Sequence, residues 1–332
     1  MALRLASHAS RSVTFGDRLP LDPRQAPGLF VHLLLTTEHD GQRLDALLQG
    51  IDCDDLGPLS QKKARQLAAL GAAAVDGVRC DGSQRLRAGS TLAFAAEHAA
   101  LMLDLGLPVA FADDDVVVVH KPPGLAVHKG PLVEHSVAEA LARELPGAGL
   151  AQRLDRDASG LLLVGRTAPA LAALGAAMER GDIEREYLAI VHGEFAGDDR
   201  TIDLALRVTD EPDGSKPKTV VDPAGQRAVS HVQVVDRRAG ATLVRVRLET
   251  GRTHQIRAHL AAVGHPLLGD ERYGDRNAND KARATFGTHR TLLHGARLVF
   301  PRPRDGERQE VVAVHEPDFV RLFPKLRARP PR

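Results

Sequence analysis

The 332-residue sequence is poor in aromatic residues and in cysteine. It has no tryptophan and only two tyrosines, which disfavours a single-strand-binding protein that stacks many bases on aromatic rings. Its two cysteines, Cys53 and Cys80, lack C-x-x-C spacing, which argues against a disulfide framework and against a thiolate zinc site. The cysteine content therefore suits a reducing cytoplasm.

Long hydrophobic runs and a strong charge imbalance are also missing. No apolar run is long enough to span a bilayer, and Arg4, His8 and Arg11 interrupt the stretch where a signal peptide would need a continuous apolar core. We therefore expect a cytoplasmic protein with no membrane partner. Because the net charge is only +1, any nucleic-acid binding must come from local basic patches.

Motifs for common cofactors and nucleophiles are absent as well. The sequence has neither G-x-x-x-x-G-K-[ST] nor a G-x-G-x-x-G that follows a strand, so nucleotide cofactors are unsupported. Ser159 lacks the G-x-S-x-G elbow of a serine nucleophile, and His254 and His259 lack the H-E-x-x-H spacing of a zinc site. We expect no cofactor and no metal, with these histidines capping helices, packing or touching phosphates.

The chain is longer than a typical single domain and its hydrophobic content of 43% is ample for a core, so one large or two unequal domains are expected. Strands and helices do not alternate regularly, which favours α+β over a doubly wound sheet. A polar segment at 275–290 is predicted to be a mobile insertion. The predicted order along the chain is a flexible tail at 1–30, a small unit at 31–97, a linker at 98–108, a large domain at 109–326 and a basic tail at 327–332.

The small unit contains a helix that Ser60 can cap and Gly71 can end. The start of this helix is basic, which indicates either a solvated face or a phosphate-binding patch; its cations are Lys62, Lys63 and Arg65. The pattern R-L-D-x-x-L, S-x-x-x-A-x-x-L and V-x-G resembles the small RNA-binding domain first described in a small-subunit ribosomal protein. That resemblance implies a small α/β RNA-binding domain.

The stretch Ala151–Thr167 places a carboxylate at the mouth of a core strand. Asp155 precedes a turn at 157–160, and the apolar run Leu161–Val164 follows that turn directly. A carboxylate in such a place is costly unless it has a partner or a task. The alternative is that Asp155 only hydrogen-bonds the turn after it. A paired-carboxylate glycosidase is disfavoured, because no second carboxylate stands out as its acid.

Five ordered motifs of the large domain resemble the RluA-type pseudouridine synthases. They are HKPPGLAVHKG, RLDRDASGLLLV, REYLAIVHGEF, LETGRTHQIRAHLAAVGHPLLGDERYG and LLHGARLVF. The resemblance implies a pseudouridine synthase-like catalytic domain with a mixed, largely antiparallel central sheet. It also implies an isomerase that flips a uridine out of the RNA stack, breaks its glycosidic bond, rotates the base and forms a carbon–carbon bond.

The resemblance also implies roles for single residues, and each role has a structural alternative. Asp155 would be the catalytic aspartate, acting either as nucleophile or as base, with Arg257 as its partner and Tyr187 as the ring that stacks on the target base. A core tyrosine and a surface arginine are the alternatives for Tyr187 and Arg257. The remaining predicted RNA contacts are Arg153, which would fill the gap left by the flipped base, Leu161 and Ile256 as apolar pocket walls, and Lys121, Arg252 and His254.

Some positions depart from the family pattern without removing the aspartate, tyrosine or arginine that the chemistry needs; they are Lys129, Gln152, Ala158, Arg185 and Gly295. The N-terminal unit makes large-subunit ribosomal RNA the expected substrate, with transfer RNA as the alternative. A non-catalytic RNA chaperone or assembly factor and a base-excising glycosylase are the competing functions. We expect a monomer.

Overall fold

The computed structural model describes residues 31–49, 51–53, 56–94, 96–129, 135–210, 217–238 and 240–328. The predicted tail at 1–30 and residues 329–332 of the predicted basic tail lie outside the described residues. Among the described residues, no helix combines the length and the apolar composition needed to cross a bilayer. The α-helices are α1 (Leu44–Leu48), α2 (Gln61–Leu70), α3 (Ala99–Leu105), α4 (Val137–Glu144), α5 (Ala168–Arg180), α6 (Gln255–Ala262), α7 (Arg276–Phe286) and α8 (Pro317–Leu322).

Eighteen strands accompany these helices in the described part of the chain. They are β1 (Val31–Leu34), β2 (Asp52–Cys53), β3 (Gly57–Pro58), β4 (Ala73–Val75), β5 (Val78–Arg79), β6 (Thr91–Phe94), β7 (Val109–Ala112), β8 (Val116–Lys121), β9 (Gly149–Leu150), β10 (Ser159–Gly165), β11 (Glu184–His192), β12 (Asp199–Asp203), β13 (Leu206–Thr209), β14 (Lys218–Val221), β15 (Val229–Arg238), β16 (Ala241–Leu248), β17 (Leu293–Pro301) and β18 (Arg308–Val312).

A ten-stranded sheet forms the centre of the large domain. Its main order is β12-β15-β16-β11-β17-β10-β8-β7, with β18 beside β17 and β9 beside β10. The β10–β17 pair is parallel, while the other pairs in this sheet are antiparallel. The predicted α+β class with a mixed, largely antiparallel central sheet is confirmed.

The strands β8 and β10 are buried on both faces because both are continuous apolar runs. Leu161 and Leu163 pack with the α5 residues Leu174 and Ala177 in one core cluster. The alternate residues of β10 enter a second cluster, which also contains core residues of the small unit such as Leu67. The two faces of one central strand thus tie the helix layer and the small unit to the same sheet.

The small unit pairs its strands in the order β1-β6-β4-β5 and packs α1 against α2. The predicted helix is confirmed as α2. The Ser60 side chain accepts a hydrogen bond from the Lys63 amide at 3.3 Å, which caps the helix N-terminus. Gly71 ends the helix in the left-handed conformation at φ 76°.

Two segments differ from the sequence-based expectation. The predicted linker at 98–108 contains α3, because Met102 and Leu105 lie three residues apart on one helix face and both are buried. The predicted insertion at 275–290 contains α7, whose N-cap is the Asp275 carboxylate, 2.7 Å from the Ala278 amide. In both cases a cap or a short apolar stripe outweighed the loop-like composition.

The small unit also contacts the large domain through β5. The Arg79 amide donates to the His315 carbonyl at 3.0 Å, and the His315 amide donates to the Gly77 carbonyl at 2.9 Å. The Arg79 guanidinium hydrogen-bonds His120 Nδ1, and its Nε lies 3.6 Å from Glu316 Oε1. We call the buried group Arg79, His120, His294 and Glu316 the interface cluster.

Candidate active site

The Asp155 loop lies between β9 and β10 and is held by its backbone. The Ala158 amide donates to the Asp155 carbonyl at 3.2 Å, which closes a turn, and the buried side chains Leu154 and Ala158 anchor the loop in the core. The Gly124 amide donates to the Arg156 carbonyl at 2.8 Å. Asp155 is therefore presented by a loop that is fixed on both sides.

The strand after this loop starts at a close approach between two glycines. Gly160 has φ 115°, and a Cβ there would lie 2.3 Å from the Gly295 amide nitrogen. Gly295 is the register partner of both Gly160 on β10 and Tyr187 on β11. Glycine at 160 is thus required by space as well as by φ, and it brings the Asp155 loop level with Tyr187.

Arg257 connects Asp155 to a second carboxylate. Its NH1 donates to Asp155 Oδ2 at 2.9 Å, while its Nε and NH2 donate to the two oxygens of Asp270 at 2.7 and 2.9 Å. Asp270 is 0% exposed and also accepts from the Arg272 and Tyr273 amides at 3.0 Å. The fork between Asp270 and Arg257 fixes the guanidinium plane, so the remaining nitrogen points at Asp155.

The charges of this group are mutually stabilised. Burial favours the neutral forms of Arg257 and Asp270, but the hydrogen bonds and the opposite charge of the partner outweigh it, so the pKa of Arg257 is raised and the pKa of Asp270 is lowered. The Asp155 side chain is 26% exposed, so part of the carboxylate faces solvent. The arrangement offers a partly exposed carboxylate beside a fixed guanidinium.

Tyr187 is buried on β11, and burial together with the negative charge of Asp155 raises its pKa against the opposing effect of Arg185. The phenol therefore stays protonated at neutral pH. Its ring edge lies near the position that a Cβ at 295 would take, 3.7 Å away. The predicted trio Asp155, Tyr187 and Arg257 thus converges on one region.

His254 lies beside Asp155, and Tyr273 contacts both His254 and Arg257. The Arg257 guanidinium carbon lies 4.9 Å from the centroid of the Tyr273 ring, and the Tyr273 hydroxyl is 2.9 Å from His254 Nδ1. His254 Nε2 lies 3.8 Å from Asp155 Oδ1. The sequence-based interpretation missed Asp270 and Tyr273, although both lie in the GDERYG part of the longest motif.

The predicted RNA contacts fall into two groups. Arg153 and Arg252 are exposed, with hydrogen bonds from Arg153 NH2 to Thr253 Oγ1 at 3.3 Å and from Arg252 Nε to the Arg227 carbonyl at 3.1 Å. Leu161 and Ile256 are buried members of core clusters, so packing accounts for both. The two exposed arginines remain available to a ligand.

Lys121 is a correction, because it does not face solvent. It is 0% exposed, and its Nζ donates to the carbonyls of Pro122, Leu125 and Arg156, each at 2.9 Å. Burial lowers the pKa of Lys121 to about 7, with the carboxylates Asp157 and Asp155 acting in the opposite direction. The ammonium tethers the Asp155 loop from inside instead of contacting RNA.

The basic residues of α2 lie on the small unit, away from this group. Lys62 and Arg65 are exposed and Lys63 is half-buried. Arg65 Nε lies 3.4 Å from Asp45 Oδ2. This geometry is compatible with a solvated face and with a phosphate-binding patch.

His120, His294 and Glu316 place three potential metal-ligand atoms within 4.8 Å of one another in the buried interface cluster. Arg79 can only donate, so His120 Nδ1 accepts its hydrogen bond and His120 Nε2 carries the ring hydrogen. A divalent ion would also stand beside a buried guanidinium, which costs free energy. These residues therefore do not fit a metal, and Arg79 supplies the cation of the cluster.

Comparisons with known proteins show which family the chain is similar to. The model of the RNA pseudouridylate synthase family matches residues 115–262. Ribosomal large subunit pseudouridine synthase D of Vibrio cholerae is 38% identical over 241 residues, covering 68% of this chain and 72% of that protein. The protein of the same name in Vibrio vulnificus is 33% identical over 309 residues, covering 86% of this chain and 91% of that protein.

Solved structures show the same fold. Human RNA pseudouridylate synthase domain containing 4 superposes with a TM-score of 0.55 at 24% identity, covering 69% of this chain and 96% of that one. Human RNA pseudouridylate synthase domain containing 1 gives 0.52 at 22% identity, covering 68% and 96%. The chain belongs to the RluA-type family of RNA pseudouridine synthases. It is an isomerase that converts uridine in RNA to pseudouridine.

Proposed function

We propose that the chain converts specific uridines of large-subunit ribosomal RNA to pseudouridine, with Asp155 as its catalytic carboxylate. The observation that carries the assignment of Asp155 is its contact with Arg257, whose other nitrogens are fixed by Asp270. The choice of substrate is supported by the names of the relatives from Vibrio. The cytoplasm is the expected location and a monomer the expected state.

The chemistry needs a flipped uridine, because the glycosidic bond cannot be reached inside a helix. In the proposed cycle, the target base leaves the stack and Arg153 fills its place. The flipped base then stacks on Tyr187 beside Asp155. The bond from the base nitrogen N1 to the sugar carbon breaks, the base rotates, and the base carbon C5 bonds to the same sugar carbon. C5 loses a proton and N1 gains one, so the product is an isomer of the substrate.

The small unit is proposed to bind RNA beside the modified uridine. Its basic residues Lys62, Lys63 and Arg65 supply phosphate contacts, which position a duplex without reading its sequence. Exposed Arg153 and Arg252 at the catalytic domain would extend the same contact towards Asp155. The contact would then span both parts of the chain.

Pseudouridine mapping of total RNA tests this proposal. Cells that lack the gene are complemented with the wild-type chain or with Asp155→Ala, and every modified site is compared. Loss of particular large-subunit sites that only the wild type restores supports both the substrate and the carboxylate.

Loss of a transfer RNA site instead would contradict the choice of substrate and leave the chemistry intact. Restoration of the sites by Asp155→Ala would contradict the role of the carboxylate. If no site changes, purified enzyme with large-subunit transcripts excludes redundancy. Inactivity of the purified wild type there would favour a binding-only assembly factor.

A further inference from the structure

His254 has a positive φ angle and a polar neighbour at each ring nitrogen. It is the N-cap of α6 at φ 52°, and Asp76 is the only other non-glycine residue of the described chain with positive φ. A non-glycine residue in this region is disfavoured and persists where its surroundings hold it. Here the strained turn aims the imidazole between Tyr273 and Asp155.

The hydrogen bonds favour one position for the ring hydrogen of His254. The Tyr273 hydroxyl oxygen accepts from the Thr219 amide at 2.9 Å, so its own hydrogen is free to be donated to His254 Nδ1. A neutral imidazole that accepts at Nδ1 carries its hydrogen at Nε2. That nitrogen is the one that faces Asp155 Oδ1 at 3.8 Å.

His254 is also kept neutral. Burial lowers its pKa, and the nearby charges of Arg257 and Arg272 act in the same direction, while Asp155 and Asp270 oppose them. The residue therefore presents an N–H without adding a full positive charge at neutral pH. Arg257 already provides the cation at the other oxygen of Asp155.

Helix spacing brings these two donors to the same carboxylate. His254 and Arg257 stand three residues apart, at the start of α6, and so lie on one face. Arg257 bonds Oδ2, whereas Oδ1 faces the imidazole. Arg257 thus donates to one oxygen of Asp155, and His254, from the same helix turn, faces the other without a hydrogen bond.

We propose that His254 is a positioning residue for Asp155. When RNA binds, Nε2–H of His254 forms a hydrogen bond with Oδ1 of Asp155 and stops the carboxylate from rotating. This proposal rests on the proposed catalytic role of Asp155. The present separation exceeds a hydrogen bond by about 0.9 Å, and catalytic hydrogen bonds are often long before substrate binds. It is also too short for a bridging water, so the closure is direct.

The hairpin β13–β14 holds Tyr273, the residue that contacts His254. Its residue Thr219 bonds the Tyr273 hydroxyl through its amide and the Thr253 carbonyl through Oγ1 at 3.0 Å. Lys218 Nζ lies 5.4 Å from the Tyr273 ring centroid.

The test compares His254→Gln with His254→Asn, because the two amides reach different partners. Gln places its side-chain nitrogen near the position of Nε2 and can donate to Asp155. Asn tolerates positive φ but reaches only as far as Nδ1, towards Tyr273. Tyr273→Phe removes the hydroxyl that fixes the tautomer and keeps the ring under Arg257.

The assay is single-turnover release of tritium from 5-tritiated uridine in a large-subunit transcript, with the dissociation constant measured in parallel. We expect His254→Asn to slow release about 100-fold with an unchanged dissociation constant, since misplacing a reacting group by about 1 Å has an effect of that order. His254→Gln should recover most of the rate, and Tyr273→Phe should fall between the two.

Equal rates for the Gln and Asn variants, or a loss confined to the dissociation constant, would overturn the positioning role. Circular dichroism melts of each variant identify an unfolded protein, in which case Tyr273→Phe alone decides the outcome. The wild type and Asp155→Asn separate the two levels of inference. If the wild type is inactive or Asp155→Asn is active, the proposed function fails; if both behave as expected and His254→Asn equals the wild type, only this inference fails.

Discussion

Arg257 and Arg79 are both largely buried beside carboxylates, and their hydrogen bonds are satisfied very differently. Arg257 at the active site uses all three of its nitrogens in hydrogen bonds of 2.7 to 2.9 Å. Arg79 in the interface cluster leaves Nε without a hydrogen-bond partner among the described residues, as does Glu316 at Oε1. The first guanidinium is held in one plane by carboxylates, whereas the second hydrogen-bonds His120 Nδ1 and the Leu70 carbonyl but not its carboxylate.

The pKa directions express the same contrast. The pKa of Arg257 is raised and that of Asp270 is lowered, because their hydrogen bonds and charges outweigh burial. In the interface cluster burial dominates, so the pKa of Arg79 is lowered and that of Glu316 is raised despite their mutual attraction. An arginine beside a carboxylate thus serves a rigid site in one place and a weaker contact between two parts of the chain in the other.

The largest effect is expected at Asp155, because the interface cluster has no proposed catalytic carboxylate. Asp155→Asn keeps the size of the side chain and removes its charge, so turnover should fall by at least about 10³-fold while RNA binding survives. Single-turnover kinetics and filter binding on one transcript measure both quantities. Turnover close to that of the wild type would remove Asp155 from the chemistry.

Removing the Arg257 side chain should lower both the rate and the unfolding free energy. Arg257→Ala frees Asp155 and leaves Asp270 as a buried charge without its partner, which predicts a rate loss of about 10²-fold or more and a loss of about 3–5 kcal/mol in unfolding free energy. Urea denaturation and single-turnover assays check this. Arg252→Ala removes an exposed arginine from the same region and is the matched control. Equal stability of the two variants would contradict the comparison.

Breaking the arginine of the interface cluster should have a smaller effect. In Arg79→Ala, Glu316 can take up a proton, because burial already raises its pKa, so we expect a loss of about 1–3 kcal/mol. The rate on a short stem-loop should stay near that of the wild type. Arg65→Ala, an exposed arginine of the same small unit, should change stability by less than about 0.5 kcal/mol. A loss as large as that of Arg257→Ala would erase the distinction between the two sites.

The smallest effect concerns Lys121, which adjoins His120 of the interface cluster and bonds the Arg156 carbonyl of the catalytic loop. Its folded pKa of about 7 lies below the ordinary value of 10.5, so between these values the unfolded chain binds more protons and stability rises with pH. Relative to Lys121→Met, the wild type should gain about 1 kcal/mol from pH 7 to pH 8. Denaturation at both pH values measures the difference, and a constant difference would contradict the shift.

Local sequence patterns predicted the helix α2, which has capping residues at both ends, and the site residues that lie inside long motifs. The cap at Ser60 and the end of α2 at Gly71 lie where the sequence predicted them. Asp155, Tyr187 and Arg257 were found through the motif resemblance, because each motif keeps its residue at a fixed offset. Their convergence agrees with that resemblance, while their catalytic roles stay predictions.

Other features depend on contacts that no local pattern encodes. Asp270 follows a helix in a polar loop, and nothing nearby indicates that it will be buried against Arg257. Lys121 was misassigned because a lysine beside Pro-Pro-Gly is ordinarily exposed, whereas here three backbone carbonyls accept its hydrogens. The interface cluster joins residues that are distant in sequence, so only the folded chain brings Arg79 to Glu316.

The position of β17 has a consequence for synthesis of the protein. This strand is synthesised after β10 and β11, yet it lies between them in the middle of the central sheet. Until it emerges, two long apolar strands present unpaired edges, the condition under which nascent chains associate wrongly or require a chaperone. Because Gly295 of β17 also joins the Asp155 loop to Tyr187, a chain interrupted before this strand would be both inactive and prone to aggregate. Synthesis through β17 is therefore needed both for activity and for pairing of these strand edges.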